Sequence, residues 1–359
     1  MSTIFEKLSH AHPELASPIS SIANLLQSKL HNEMTIETLA LLRLVSSQQD
    51  RVHVFDATLA PIARLVNPMS LIDGIRLLGK ESTDDPEMVV KYLDLFAEDQ
   101  ISSGSSSQLH SKAQRHTAGL LGKILLAESK LRLDLPVAAR SLLDAISKLD
   151  TTSVHSEFCR VSAMHAKRVG DFNEFFRQSM QYLKTSQGTP AAVFDVAIAA
   201  LVGSEIFDFG ELLSLAEGLP QWLLALVQAF DKGDVAAFAA LHSHWWEVPD
   251  LKAHAVSLAQ KIAKMALLEI SSGKRVLSFA QVAEGCSCSA EDVERVILSG
   301  MAAGLVKGEI DQCSGELRIK WVKPRVMGRN RIEGLKNRIE EWSSRVVDVA
   351  GRVGAMESA

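Results

Sequence analysis

Apolar residues recur at helical spacing from about Ile19 to about Ser243, and turn residues interrupt the pattern every 12 to 20 residues. Strand-like alternation is almost absent from this stretch. Short helices joined by short connections over more than 200 residues predict a mainly all-α fold that begins with a helical hairpin solenoid of the right-handed type. The strict tetratricopeptide consensus is missing. The clearest helix predictions are Met34–Val45, Pro68–Leu78, Pro86–Phe96, Leu135–Leu149 and Val154–Val169.

Three local signals predict where helices begin and end. Asn67 precedes Pro68, so a capping side chain stands before a proline that is favoured in a first helical turn. The pairs 170–171 and 233–234 both read Gly-Asp. A glycine can end one helix in the left-handed conformation while the aspartate caps the next. We interpret both pairs as helix junctions rather than ligand sites.

The pattern changes in the C-terminal third, where a winged helix is predicted. A helix over about 251–270 precedes a short strand over 276–278 and a small helix over 279–283. Ser289 opens a third helix with a pattern similar to a capping box. Two alternating strands follow, and the second, Glu316–Val322, is predicted to be the outer strand with an unpaired edge. We expect this edge to bind a partner through Arg318, Ile319, Lys320 and Trp321.

A final helix carries apolar residues at alternating spacings of three and four, which is the pattern of an assembly helix. We call these residues the apolar seam, and we expect them to pack against helices of partner proteins. Folding of this helix back onto its own winged helix stays open as an alternative. The seam consists of Ile332, Leu335, Ile339, Trp342, Val346 and Val349, and Val353 continues it.

Composition indicates a folded protein of two domains or one extended repeat array. The 359 residues are 47% hydrophobic and 23% charged, with a net charge of −5, which does not suggest a nucleic-acid-binding protein. Four cysteines do not make a disulfide framework. No apolar run is long enough for a signal peptide or a membrane span. We therefore expect a protein of the cytoplasm and nucleus that does not bind membranes.

No residue pattern predicts catalysis. His242 and His244 with Asp250 suggest the zinc ligands of a metallo-isopeptidase, but their spacing and neighbours differ from that motif. The cysteines 286, 288 and 313 do not complete a structural zinc site. Phosphate-binding and nucleophile motifs are absent. We predict no catalytic residue, metal, cofactor or small-molecule substrate. DNA binding by the winged helix is disfavoured because its recognition helix begins with acidic residues.

Six elements, in order, resemble elements of one family of PCI-domain proteins, that of the proteasome lid's non-ATPase regulatory subunit thirteen (subunit nine in the other naming). The first reads RLVNPMSL, with Leu65 inserted relative to the family element. The second, SVHSEF, has Glu157 where the family element has arginine. The others are FDFGELL, QWL, GLVKGEID and WVKPRV. The six elements begin at positions 64, 153, 207, 221, 304 and 321.

The resemblance implies a non-catalytic structural subunit of the lid of the 26S proteasome. It further implies that other PCI subunits contact the winged helix, and that the terminal helix joins a bundle that includes the deubiquitinase pair. A neighbouring ubiquitin-receptor subunit is a further implied partner. The predicted domains are a helical repeat region (1–165), a PCI domain (166–326, with the winged helix from 250) and an assembly helix (327–359). A PCI subunit of the signalosome, of translation initiation factor three or of an RNA export complex is the alternative.

Overall fold

The computed structural model describes residues 16–28, 30–45, 47–63, 65–79, 86–102, 112–186, 189–215, 218–325 and 329–357. Contacts divide the chain into two compact units, residues 1–186 and 187–359. The domain boundaries predicted above stay predictions. In the described ranges, no helix is long and apolar enough to cross a membrane.

The described residues of the first unit form helices, and neighbouring helices along the chain pack against each other as hairpins. Its apolar side chains form two clusters, one centred on helices α1 to α5 and one on α6 to α8. The helical repeat prediction is therefore confirmed. The helices are α1 (Ala16–Gln27), α2 (His31–Leu44), α3 (Gln48–Thr58), α4 (Pro68–Leu78), α5 (Pro86–Ser102), α6 (Lys112–Arg132), α7 (Pro136–Ser147), α8 (His155–Val169) and α9 (Phe172–Thr185).

The second unit begins with further helices and ends with a small sheet and a long helix. The aromatic rings of Phe209, Phe230, Phe238 and Trp245 contact one another in sequence inside its helical part. The helices before the sheet are α10 (Pro190–Val202), α11 (Gly210–Ser214), α12 (Gln221–Lys232), α13 (Val235–Ala240), α14 (His242–Trp245), α15 (Pro249–Ala253) and α16 (Ala255–Ser271). The remaining elements are β1 (Val276–Ser278), α17 (Phe279–Cys286), α18 (Val293–Ala302), β2 (Val306–Asp311), β3 (Glu316–Val322) and α19 (Arg329–Glu357).

The predicted helix junctions are confirmed. The Asn67 side chain accepts a hydrogen bond from the Met69 amide at 2.9 Å, with Pro68 in the first turn of α4. Gly170 ends α8 with φ +81°, and Gly233 ends α12 with φ +69°. In both cases the following aspartate accepts a hydrogen bond from a first-turn amide of the next helix. These positions favour glycine because side chains rarely adopt a left-handed backbone.

The winged-helix order of elements is confirmed, but the predicted place of its second long strand is wrong. The antiparallel sheet has the order β1-β3-β2, so Glu316–Val322 is the central strand. Leu277 of β1 pairs in register with Leu317 of β3, and both side chains are buried. The short strand β1 covers β3 because this arrangement removes both leucines from water.

Two details of the predicted winged helix are also wrong. The helix expected over 251–270 is two helices, because a tight turn at His254 ends α15 and α16 begins after it. The expected capping box at Ser289 does not form, and the Ser289 hydroxyl instead donates to the Asp292 carboxylate at 2.8 Å. The complete capping box lies at α17, between Ser278 and Gln281.

Candidate partner-binding surfaces

The residues that suggested a zinc site do not form one in the described structure. The His242 ring stacks on Trp246, with ring centroids 4.9 Å apart, and meets the edge of Trp245. Asp250 lies in the first turn of the separate helix α15. Throughout the described ranges, no group of three or more His, Cys, Asp or Glu side chains is arranged to hold a metal ion. His242 is therefore held by aromatic packing at a helix start.

The predicted residues of β3 lie in the sheet in two different settings. Arg318, Lys320 and Trp321 are exposed, whereas Ile319 is half-buried and its amide donates to the Arg275 carbonyl at 2.7 Å. The side of β3 that was expected to be free is therefore occupied at this point by the chain that leads into β1. The predicted partner residues thus offer side chains to a partner, whereas the backbone of Ile319 already has a hydrogen-bond partner.

Cross-strand pairs order the exposed side chains of this wing. Lys320 donates to the Glu309 carboxylate, and this hydrogen bond lowers the pKa of Glu309. The Lys307 ammonium lies 5.0 Å from the centre of the Trp321 ring, and 42% of Trp321 remains exposed. An exposed tryptophan held by a cation is already ordered, so little entropy of the Trp321 side chain is lost when a partner covers it.

The other long edge of the sheet belongs to β2. Val306–Asp311 pairs with β3 on one side, and within the described ranges no strand pairs with its other side. This strand therefore takes the position that was predicted for β3. Its outer backbone groups are a template for a strand of another protein.

The apolar seam of α19 is exposed. Every described side chain from 333 to 350 is open to solvent, and Trp342, at the centre of the seam, is 68% exposed. Ile332 lies within the helix, but its side chain lies outside the described part of the chain. The other seam residues are exposed to between 39% and 58%, namely Leu335, Ile339, Val346 and Val349. An apolar stripe of this kind on a charged helix marks a protein-interaction site.

Two buried cations that sequence reasoning missed hold the second unit together. The Lys261 ammonium donates to the carbonyls of Ala200 at 2.6 Å, Leu201 at 3.2 Å and Gly203 at 2.5 Å, which ties α16 to the end of α10. Burial lowers the pKa of Lys261 to about 7. Its position three residues after Leu258 was a usable signal, because this spacing places a lysine on the apolar face of a helix.

The second missed cation, Arg325, fixes the segment that leads to α19. Its guanidinium donates to the Asp231 carbonyl at 2.6 Å and pairs with the Glu269 carboxylate. Only 8% of the side chain is exposed. Arginine satisfies such a site because its planar group donates in several directions at once. The segment after β3 is thereby attached to both α12 and α16.

A network of ion pairs connects three helices of the first unit. Glu128 of α6 pairs with Arg160 of α8 at 2.5 Å and with Arg132 at 3.0 Å. Arg160 also pairs with Glu157 at 2.9 Å, and Glu157 with Arg76 of α4 at 3.1 Å. Burial raises the pKa of Glu128, but the two arginines outweigh it, so the pKa lies below its ordinary value. The network is therefore ionised at neutral pH.

Comparisons with known proteins identify both parts of the chain. The family model described as PSD13 N-terminal repeats matches residues 19–217, which is more than half of the chain, and the PCI domain model matches residues 238–321. The 26S proteasome non-ATPase regulatory subunit 13 homolog B of Arabidopsis thaliana is 26% identical, over 95% of this chain and 94% of its own length.

Two further relatives separate the leading interpretation from the alternative. The 26S proteasome regulatory subunit RPN9 of Saccharomyces cerevisiae is 29% identical, over 85% of this chain and 84% of its own length. Subunit M of eukaryotic translation initiation factor 3 from Aspergillus terreus is 25% identical over only 49% of this chain. The chain therefore belongs to the family of proteasome non-ATPase regulatory subunit 13, in which PSD13 N-terminal repeats precede a PCI domain.

Proposed function

We propose that this chain is a non-catalytic structural subunit of the lid of the 26S proteasome regulatory particle. Its role is to assemble and position neighbouring subunits during ubiquitin-dependent protein degradation. The observation that carries the proposal is the exposed apolar seam of α19 in a chain of this family. Burial of an apolar side chain of this size contributes about 1.5 to 3 kcal/mol, so the exposed seam favours a state in which other helices cover it.

The terminal helix supplies one part of the assembly surface. We propose that α19 enters a bundle of helices from other lid subunits, including the deubiquitinase pair, with Trp342 as its main anchor. The exposure of the seam supports this arrangement over folding of α19 onto its own chain.

The winged helix supplies the other part. We propose that other PCI subunits of the lid contact it through Arg318, Ile319, Lys320 and Trp321, and that the outer edge of β2 adds backbone pairing. The exposure of Trp321 and the position of β2 in the sheet support this arrangement. The neighbouring ubiquitin-receptor subunit is a further proposed contact.

The test uses lid purified from cells that lack this chain, to which the purified chain is added back. We expect Trp342→Ala to weaken incorporation at least tenfold, because it removes the largest exposed anchor of the seam. The matched control is Val347→Ala, since Val347 is 66% exposed on the same helix but lies outside the seam. We expect the control to incorporate as the wild type does.

Removal of residues 329–359 separates the bundle from the fold-back alternative. If α19 packs only on partners, the truncated chain keeps the melting temperature of the wild type and does not enter the lid. A truncated chain that melts clearly earlier and still assembles would overturn the proposed role of the helix. A Trp342→Ala variant that incorporates as well as the wild type would also count against it.

A further inference from the structure

The residues that flank the apolar seam of α19 carry one sign of charge. In a heptad repeat that places Ile332 at position a, positions g and e flank the seam on its two sides. The e positions are Lys336, Ser343 and Ala350. The g positions of successive heptads are all arginines, namely Arg331, Arg338, Arg345 and Arg352. From 331 to 352, therefore, no acidic residue occupies a position next to the seam.

Between 331 and 352 the acidic residues of the helix lie further from the seam, at positions b and c. Glu333 and Glu340 occupy position b, and Glu341 and Asp348 occupy position c. Glu340 pairs within the helix, at 3.7 Å from Lys336. This segregation of charge places the cations at the boundary between the apolar seam and solvent, where a bound helix would meet them.

Arg338 and Arg345 are the two flanking arginines whose side chains lie in the described part of α19. Both are exposed, and neither forms an ion pair with a described residue. They are seven residues apart, which corresponds to about 10 Å along the helix axis on the same side. Two cations with this spacing match carboxylates that are separated by one heptad on a second helix.

We propose that α19 selects a partner helix whose own seam-flanking positions carry glutamate or aspartate opposite Arg338 and Arg345. This inference rests on the proposed assembly function and names the chemistry of the partner. Charges at the flanking positions of packed helices determine which helices pair and in which orientation. The seam supplies the binding energy, and the arginines discriminate between partners.

The same charges disfavour a second copy of this chain as the partner. An antiparallel pair of α19 helices would place position g of one copy against position g of the other, arginine against arginine. A parallel pair would place each arginine against an e position, where the chain has Lys336, Ser343 or Ala350. Neither arrangement gives an attractive charge pair, so the seam is suited to a heterotypic complex.

An anionic membrane fits the helix less well than an acidic helix does. Interfacial helices that bind anionic lipid have a polar face rich in lysine and arginine. Between 329 and 357 the chain has six basic and five acidic residues, and four of the acidic ones occupy positions b and c on the polar face. The attraction of the whole helix to a negative surface is therefore small. The row of arginines at position g is locally basic, so it favours a partner helix with carboxylates opposite it.

The expected effect follows from the strength of exposed pairs on packed helices. Each such pair contributes a factor of about 2.3 in the binding constant. Reversal of one arginine replaces an attraction by a repulsion of similar size, which corresponds to a factor of about five. The double variant Arg338→Glu/Arg345→Glu is therefore expected to bind about 30-fold more weakly, and Arg338→Gln/Arg345→Gln about fivefold more weakly.

The experiment titrates the full-length chain into lid purified from cells that lack it. Its matched control is Glu333→Arg/Glu340→Arg, which also reverses two charges seven residues apart but at position b. We expect the control to bind within threefold of the wild type. Circular dichroism confirms that all variants keep the helix. Higher salt is expected to weaken lid binding by the wild type more than lid binding by Arg338→Gln/Arg345→Gln.

The outcomes separate this inference from the proposed function. If Trp342→Ala blocks incorporation but Arg338→Glu/Arg345→Glu binds within threefold of the wild type, the seam is the interface and the inference of an acidic partner helix is wrong. If neither variant loses incorporation, the proposed function fails as well. A wild-type dimer that disappears on removal of residues 329–359 would overturn the heterotypic preference. Arginine-dependent binding to vesicles of phosphatidylserine and phosphatidylcholine would assign the row to lipid instead.

Discussion

Gly233 and Gly170 form a natural pair for measuring what a close approach between helices costs. Both end a helix with a positive φ, and both precede a capping aspartate. They differ in surroundings. A Cβ at Gly233 would lie 2.7 Å from the Met265 carbonyl oxygen and from the Ala266 amide nitrogen, whereas a Cβ at Gly170 would meet nothing within 4 Å. Replacement by alanine therefore measures the cost of the left-handed backbone alone at Gly170, and the cost of that backbone plus the close contact at Gly233.

The magnitudes follow from the two contributions. The left-handed backbone costs an alanine about 1 to 2 kcal/mol, and this term applies to both sites. At Gly233 the obstructing atoms belong to the backbone of α16, so no side-chain rotation relieves the contact. Overpacking of this kind adds about 1 to 3 kcal/mol. We expect Gly170→Ala to lower the free energy of unfolding by about 1 to 2 kcal/mol and Gly233→Ala by about 2 to 5 kcal/mol.

Urea denaturation of the full-length chain measures both effects. All five tryptophans lie between 222 and 342, so tryptophan fluorescence reports the unit that contains Gly233. Far-ultraviolet circular dichroism reports the helices of both units. With a typical urea dependence, Gly233→Ala is expected to lower the fluorescence midpoint by about 1 M or more. Equal destabilisation by the two substitutions, or a fluorescence midpoint that Gly233→Ala leaves unchanged, would refute the role of the contact.

Two further predictions concern buried charges. Glu128→Gln is expected to lower the free energy of unfolding by about 2 to 3 kcal/mol at pH 7, because it leaves the partly buried Arg160 without its nearest carboxylate. The control Asp144→Asn, in an exposed pair, is expected to lower it by less than about 0.5 kcal/mol. Since the folded pKa of Glu128 is lowered, its contribution is complete above the ordinary carboxyl pKa and decreases as the pH falls through the folded value. Urea midpoints at pH 7 and pH 3.5 check this, and equal costs for the two variants would contradict it. The pKa of Lys261 is lowered in the folded chain, so between pH 7 and pH 9 the unfolded lysine still binds a proton that the folded lysine has lost. The wild type is therefore expected to gain stability relative to Lys261→Met over this range, on the order of 1 kcal/mol per pH unit. Parallel pH profiles of the two proteins would show that the lysine remains charged in its carbonyl cage.

Local signals in the sequence predicted the helices and their junctions well, because the cause of each lies within a few residues. The Gly-Asp pairs are the clearest case, since glycine conformation and aspartate capping are local properties. The place of β3 in the sheet was not accessible in this way. It depends on Leu277, which lies 40 residues before its partner Leu317 in the chain.

The candidate surfaces were predictable to different degrees. Heptad spacing alone identified the seam of α19, because a helix repeats its faces at a known angle. The partner residues of the wing were placed on a strand whose edge is covered from Glu316 to Ile319 by β1 and Arg275. Lys261 and Arg325 were missed because their acceptors include backbone carbonyls from distant helices, and a sequence carries no direct sign of such acceptors.

The presence of a long seam helix and an exposed wing tryptophan on one chain has a kinetic consequence for assembly. Its 29 residues extend about 43 Å, and the same chain also carries the exposed tryptophan of the wing. Once one of these surfaces is bound, the other is held near its target at a high effective concentration, so two individually weak contacts give a long-lived complex. Dissociation then requires both contacts to open before either one closes again. A substitution at one surface should therefore shorten the residence time of the subunit far more than it slows its arrival.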